Sequence, residues 1–334
     1  MSAPIDSYYK LFQVGLGLFD RTPRDTLVIT GDDTIPWLQG LVTSDLHHLV
    51  EEGSGQRTTF VNTKGRFVGE ARILHLPEML FLDLEPESLE AGLLSHLRRQ
   101  IINEKVKLSN RSAQTARIAI IGEHAEALLK EFATWQGDIQ DLKPFHGTWG
   151  SREDQDLILY RPIWSLVPFF EIACAMDYRE ELLETLQSLT SGIPLLDPLT
   201  FEILRTEAGV PRYSQELTDK VIPLEANFQD AIAYDKGCYL GQEIIARLDT
   251  LGTPAKLLRL IVLDGDEIPA PGTEVFAQES EKSVGKIESA VYSPHYEAPL
   301  AFAYVKRGFN DLGAQVLVGG QLGQLAPLLD MEKL

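Results

Sequence analysis

Apolar residues recur along most of this chain in two rhythms, one of period two and one of helical spacing. Short apolar blocks at residues 27–30, 58–61, 67–76 and 79–84, separated by polar turns, predict strands. Asn62-Thr63-Lys64-Gly65, between the second and third, has the composition of a hairpin tip. Gly31-Asp32-Asp33-Thr34 supplies turn and N-cap chemistry for a helix starting near Pro36, with Trp37, Leu38, Leu41 and Val42 as its apolar face. Behind Pro86, the spacing of Leu89, Leu93, Leu94, Leu97 and Ile101 predicts a second helix. Residues 105–108, 117–121 and 169–175 read as further strands, and 123–135, 180–189 and 198–207 as helices. No clean parallel βαβ series emerges, so the pattern predicts α+β rather than a doubly wound sheet, without an internal repeat.

Past Gly252-Thr253-Pro254 the helical spacing disappears. Residues 257–263, 274–277, 284–291, 300–305 and 314–318 are short strands punctuated by Pro, Gly and Asp, the pattern of a small all-β module. The expected division is therefore a region 1–250 of two α+β subdomains and a β-barrel at 255–334. A chain of 334 residues is long enough for two or three cores, and 44% hydrophobic with 24% charged residues is a globular composition. The net charge of −19 opposes broad binding to a phosphate backbone, so direct nucleic-acid binding is not expected. No apolar stretch suits a bilayer, and Met-Ser-Ala-Pro-Ile-Asp at the start has no leader character, so the expected setting is cytoplasmic and no membrane partner is expected.

Candidate chemistry concentrates in Lys236-Gly237-Cys238-Tyr239-Leu240-Gly241-Gln242-Glu243. Leu240, Ile244, Ile245 and Leu248 follow at helical spacing, which places Cys238 near a first turn, where free N–H groups and a neighbouring Lys236 favour a thiolate. The alternative is a small buried hydrophobe, the commonest use of a free cysteine. The other cysteine, Cys174, falls within an apolar strand and reads as core. Two cysteines give neither a disulfide framework nor metal-ligand spacing, and cannot hold an iron–sulfur cluster with four thiolates of this chain, so no metal site is expected. Gly15-Leu16-Gly17 lacks the third glycine of a dinucleotide fingerprint and reads as a helix end, and Gly285-Lys286 lacks a P-loop. His47-His48 reads as a solvated helix end.

The octapeptide matches the K-G-C-Y-x-G-Q-E signature of the YgfZ family, folate-binding proteins related to the aminomethyltransferase (T-protein) of the glycine cleavage system. Trp37-Leu38-Gln39-Gly40-Leu41-Val42-Thr43-Ser44-Asp45, Asn62-Thr63-Lys64-Gly65-Arg66, Arg205-Thr206-Glu207-Ala208-Gly209-Val210-Pro211 and Pro223-Leu224-Glu225 resemble other segments of that family, in family order. The resemblance implies two α+β subdomains in a ring, with tetrahydrofolate in a central opening, followed by the barrel. It makes Glu207 the pterin anchor, because a carboxylate accepts from a ring N–H and an exocyclic amine together. Against this stands a surface carboxylate paired with Arg205. Asn62, Lys64, Arg66 and Lys236 become candidates around the folate, the three cations for its carboxylate tail, while Gln242 and Glu243 shape a helix start.

Two functions follow from the resemblance. One is a folate-binding accessory protein in iron–sulfur cluster assembly or repair, and through it tRNA modification, with Cys238 as the working thiol in transient contact with client proteins. The alternative is a folate-dependent aminomethyl or methyl transferase. The transferase carries an Asp-Asp pair after its hairpin glycine, where this chain has Gly69-Glu70, so only Glu70 remains there as a base.

Overall fold

A computed structural model describes residues 5–278 and 282–329. The first four residues and 330–334, which the sequence reading assigned to the chain start and the barrel's end, lie outside the described residues, as do 279–281.

Helix α1 (Asp6–Val14) ends on Gly15, left-handed at φ +71, and leads into β1 (Gly17–Asp20) and β2 (Asp25–Thr30). Helix α2 (Thr34–Gln39) is followed by β3 (Gly55–Val61), β4 (Phe67–Leu76) and β5 (Met79–Leu84), a meander joined at the predicted hairpin. The predicted 89–101 helix is broken: a π-helical turn at Leu89–Leu93 contains Gly92 at φ +131, and α3 (Leu94–Arg98) is all that is α-helical. Strand β6 (Lys107–Asn110) completes a five-stranded sheet of order β3-β4-β5-β2-β6.

The next stretch repeats this plan. Strand β7 (Thr115–Ile121), helix α4 (Ala125–Phe132), β8 (Thr134–Trp135), β9 (Gly147–Arg152), β10 (Gln155–Tyr160), β11 (Phe169–Ala175) and helix α5 (Arg179–Leu189) follow in order. With β1 they build a six-stranded sheet, β1-β7-β11-β10-β9-β8. Trp135 was expected in a helix; it lies in β8 because α4 stops at Phe132, where the Trp135 indole N–H caps the carbonyl of Leu129. The two sheets share a strand, glycine, helix, meander scheme that the sequence does not display as a repeat. Gly31 at φ +122 and Gly122 at φ +123 mark it, each pressed against the backbone leading into an edge strand, where a Cβ would collide with the carbonyl of Lys105 or Gly15.

Each sheet packs helices on one face, α2 and α3 over Leu27, Phe60, Ile73 and Leu82, and α4 and α5 over Ile118, Ile120, Leu157 and Ile172. The other two faces meet through Leu74, Leu76 and Phe81 against Ile158, Tyr160 and Ala173. Helices α6 (Pro198–Glu207) and α7 (Gln242–Leu251) and the loops between them lead to the C-terminal strands. There β12 (Lys256–Leu263), β13 (Glu274–Ala277), β14 (Ser283–Ser293), β15 (Ala298–Lys306), β16 (Gln315–Val318) and β17 (Gln321–Ala326) form a closed barrel. The sequence pattern had given five of these; β17, with Gln321, Gly323 and Gln324 at alternate or adjacent positions, has too weak an apolar signal to read. Mixed α and β elements followed by a barrel is the expected architecture.

Candidate functional site

Helix α6 starts on Asp197, whose carboxylate accepts from Thr200 N at 2.9 Å, with Pro198 in its first turn. Phe201, Ile203 and Leu204 bury it against β1 and the loop at Trp164, and this fixes where its last residue, Glu207, points. Glu207 is 8% exposed. Tyr8 of α1 donates to both carboxylate oxygens, at 3.0 and 3.1 Å, and Ser293 at the end of β14 donates to Oε1 at 2.5 Å. Burial raises the Glu207 pKa, against which these hydroxyls and His295 act. The pairing with Arg205 considered from sequence does not form. Arg205 is fully buried and holds Glu202 at 2.7 Å and Glu216 at 3.1 Å, tying α6 to the loop before the barrel.

Four of the segments singled out in the sequence meet at a second place. The Lys236 ammonium donates to the carbonyls of Gln39, Val42 and Ser44 at 2.7, 2.9 and 2.7 Å, which closes the C-terminal end of α2 and the turn behind it. Leu240 N donates to the Gly40 carbonyl at 3.1 Å. Tyr239 is buried with Val61, Ile222, Leu224, Ile232 and Ile245. Gly241, left-handed at φ +81, lies against the Asn62 carbonyl and Gly65 of the hairpin tip, where a side chain would strike backbone. The Gln242 side chain accepts from Tyr239 N at 3.4 Å, and Glu243 is exposed in the first turn of α7, so both serve the helix start.

This junction corrects two expectations. All three Lys236 N–H groups are committed to carbonyls, so Lys236 is not free to meet a folate tail, and its charge is not directed at Cys238. Cys238 is exposed on the loop, three residues before the N-cap Gly241 and so near the first turn of α7, where the sequence places it. The buried-hydrophobe alternative belongs to Cys174 instead, whose thiol burial pushes up to about 12. The Asn62 carboxamide oxygen accepts from Lys64 N at 2.9 Å and Arg66 N at 3.2 Å, a turn-forming role, and leaves Lys64 and Arg66 exposed at the tip. A cavity of about 320 Å³ opens beside the junction, between Ser44, Asp45 and Gln56 on one side and Asp230, Tyr234 and Asp235 on the other.

Glu70 lies at neither place. It is 1% exposed and faces the second sheet, 3.4 Å from Arg72, within a buried charge cluster. Arg24 binds Asp83 at 2.6 Å and Glu85 at 2.7 Å; Arg117 bridges Asp83 and Glu171, each at 3.2 Å; Arg21 binds Glu171 at 2.9 Å. The Trp164 ring lies 3.8 Å from the Arg72 guanidinium and 4.5 Å from that of Arg21. Burial raises the Glu70 pKa and the surrounding arginines oppose it.

The model of the GCVT N-terminal domain matches residues 2–236, and that of the glycine cleavage T-protein C-terminal barrel domain matches 256–328. The chain belongs to the GCVT family. Family relatives similar to it include the aminomethyltransferase of Halalkalibacterium halodurans, 27% identical over 92% of this chain and 84% of that protein. That of Geobacillus kaustophilus is 28% identical over 90% and 82%. The crystal structure of glycine cleavage system aminomethyltransferase T from Bartonella henselae has the same fold, with a TM-score of 0.85 over 98% of this chain and 90% of that one at 18% identity.

Beyond the residues read from sequence, this GCVT family member places Tyr8 and Ser293 on Glu207. Tyr8 stands 199 positions away in the chain and Ser293 86, and neither lies in a motif, so no local pattern could have found them. The charge cluster did leave a signal: Glu70 and Arg72 alternate with Ala71 and Ile73, and Arg117 sits between Ala116 and Ile118. Charges at every second position of otherwise apolar strands mark a polar layer between two sheets.

Proposed function

We propose that this protein binds a tetrahydrofolate through Glu207 and acts in transfer of the one-carbon unit that the folate carries. The Glu207 carboxylate is the observation that supports it. It is buried, has no ion-pair partner among the described residues, and is oriented by the Tyr8 and Ser293 hydroxyls and the His295 backbone N–H. A buried carboxylate with no cation of its own suits a neutral ligand edge with two adjacent donors, which is what a pterin presents. The transferase names of relatives matched along about nine-tenths of the chain support the reaction class. Glu70 is a poor base for that reaction, because it is enclosed between the sheets with Arg72. The test is calorimetric titration of the full chain with 5-formyltetrahydrofolate, a stable probe. Glu207→Gln, which replaces one acceptor oxygen with a donor, should weaken binding by roughly tenfold or more. Equal affinity would remove Glu207 as the anchor.

A second reading keeps the bound folate but gives the work to Cys238, in iron–sulfur cluster assembly or repair with transient client contact, as in the YgfZ family. The exposed thiol between Gly237 and the buried Tyr239 favours it. Cells lacking the native gene and supplied with Cys238→Ala should then lose cluster-dependent enzyme activity. Full rescue by that variant would sink the thiol role.

A further inference from the structure

We infer that helix α1 latches the Glu207 site: the Tyr8 hydroxyl occupies the position a ligand's two donors would take, and the ligand must displace it. The inference rests on the folate reading of Glu207 and adds what controls access to it. Tyr8 Oη lies 3.0 Å from Oε1 and 3.1 Å from Oε2, so one hydroxyl sits in front of the carboxylate, equidistant from its oxygens. A bidentate donor pair needs that same place. Ser293 approaches from the barrel and holds Oε1 alone, at 2.5 Å, so with the nearby His295 backbone N–H it orients the group from the barrel side, while Tyr8 faces both oxygens from α1. The two contacts therefore differ in kind. Ser293 is a positioning residue, compatible with a ligand, and Tyr8 is a competitor.

The helix that carries Tyr8 is tied to the far end of α6. Ser7 donates to the Asp197 carboxylate at 2.5 Å and lies 2.6 Å from the Thr200 hydroxyl, both in the capping turn of α6. Adjacent residues of α1 thus touch the first and last turns of one helix, whose ten residues span about 15 Å. This splint aims the Tyr8 ring along α6 at Glu207. The ring packs on Phe12 at a centroid distance of 4.8 Å and meets Tyr9 edge-on at 5.9 Å. Phe12 and Tyr9 are themselves 49% and 59% exposed, whereas the Tyr8 ring is buried in the core with Leu11, Phe201 and Leu204, so displacing the hydroxyl means shifting a buried ring whose outer neighbours face solvent. Removing the Tyr8 hydroxyl from Glu207 breaks one tie and leaves the Ser7 tie in place.

The experiment measures 5-formyltetrahydrofolate affinity for wild type, Tyr8→Phe, Ser293→Ala and Glu207→Gln, each as the full chain. Tyr8→Phe keeps the ring and removes only the competing hydroxyl, so it should bind about fivefold more tightly, the equivalent of a hydrogen bond of about 1 kcal/mol that no longer has to be broken. Ser293→Ala should bind more weakly. Weaker binding by Tyr8→Phe together with weaker binding by Glu207→Gln overturns the latch and leaves the anchor standing. Unchanged binding by Glu207→Gln overturns the anchor, and the competition with it. If Tyr8→Phe fails to fold, hydrogen exchange on wild type decides: saturating ligand should speed exchange of the amides of Asp6–Val14, and slowed exchange there would overturn the latch.

Discussion

The charge cluster between the sheets and the loop at Lys236 both bury cations, yet they treat them in opposite ways. Between the sheets, Arg21, Arg24, Arg72 and Arg117 are matched by Glu70, Asp83, Glu85 and Glu171, and burial is shared across strands of two sheets. At the loop, Lys236 is buried without a carboxylate in contact and uses backbone carbonyls instead. The cluster can be closed because each charge has an opposite one. The loop has no such match: it holds one cation on carbonyls, with Cys238 two residues on exposed to solvent. Charge neutrality separates the region that holds the halves together from the loop that presents the exposed Cys238.

The largest effect should come from unbalancing the cluster. Arg117→Met leaves Asp83 and Glu171 short of a cation in a place water does not reach, and should destabilise the protein by about 3–5 kcal/mol in urea unfolding. A loss under about 1 kcal/mol would mean the cluster is hydrated, and the contrast with the loop would fail.

Lys236 gives the next largest effect. Lys236→Met strips three carbonyls of their donor and should cost about 2–3 kcal/mol, with faster hydrogen exchange in residues 37–45 as the local sign. The same residue carries a pH signature. Burial lowers its pKa from 10.5 to about 8, with Asp45 pulling back. Between those two values the unfolded chain holds a proton the folded chain has released, so this group makes stability rise with pH through the window. Below about pH 8 both states are protonated and its contribution is flat. Wild type should therefore gain stability relative to Lys236→Met from pH 8 to 10.5, and parallel curves would place the ammonium in water.

The same contrast explains how much could be read in advance. The hairpin at Asn62-Thr63-Lys64-Gly65, the strand Met79–Leu84 and the helix Pro198–Glu207 stood out because their signals are local: turn residues, alternation, an N-cap followed by Pro198. The 89–101 helix was misread because Gly92 interrupts a sound leucine spacing. Glu207 was legible only through the motif around it, and its partners Tyr8 and Ser293 were not, since they arrive from the two ends of the chain. Lys236 was read as a free cation because a sequence shows a lysine's charge but not the carbonyls that enclose it.

The smallest effect on stability, and the sharpest on reactivity, is expected at Cys238. Its side chain is exposed, so Cys238→Ala should change unfolding free energy by no more than about 0.5 kcal/mol. Labelling separates it from Cys174, which is buried under α5 with its thiol held protonated. Native protein treated with an aromatic disulfide reagent should release one equivalent of thiolate quickly and a second only after denaturation, and Cys238→Ala should abolish the fast phase. Two fast equivalents would mean that the core around Cys174 opens as readily as the loop. In that case what sets Cys238 apart would be its sequence context rather than the rigid frame that Lys236 and Gly241 build beneath it.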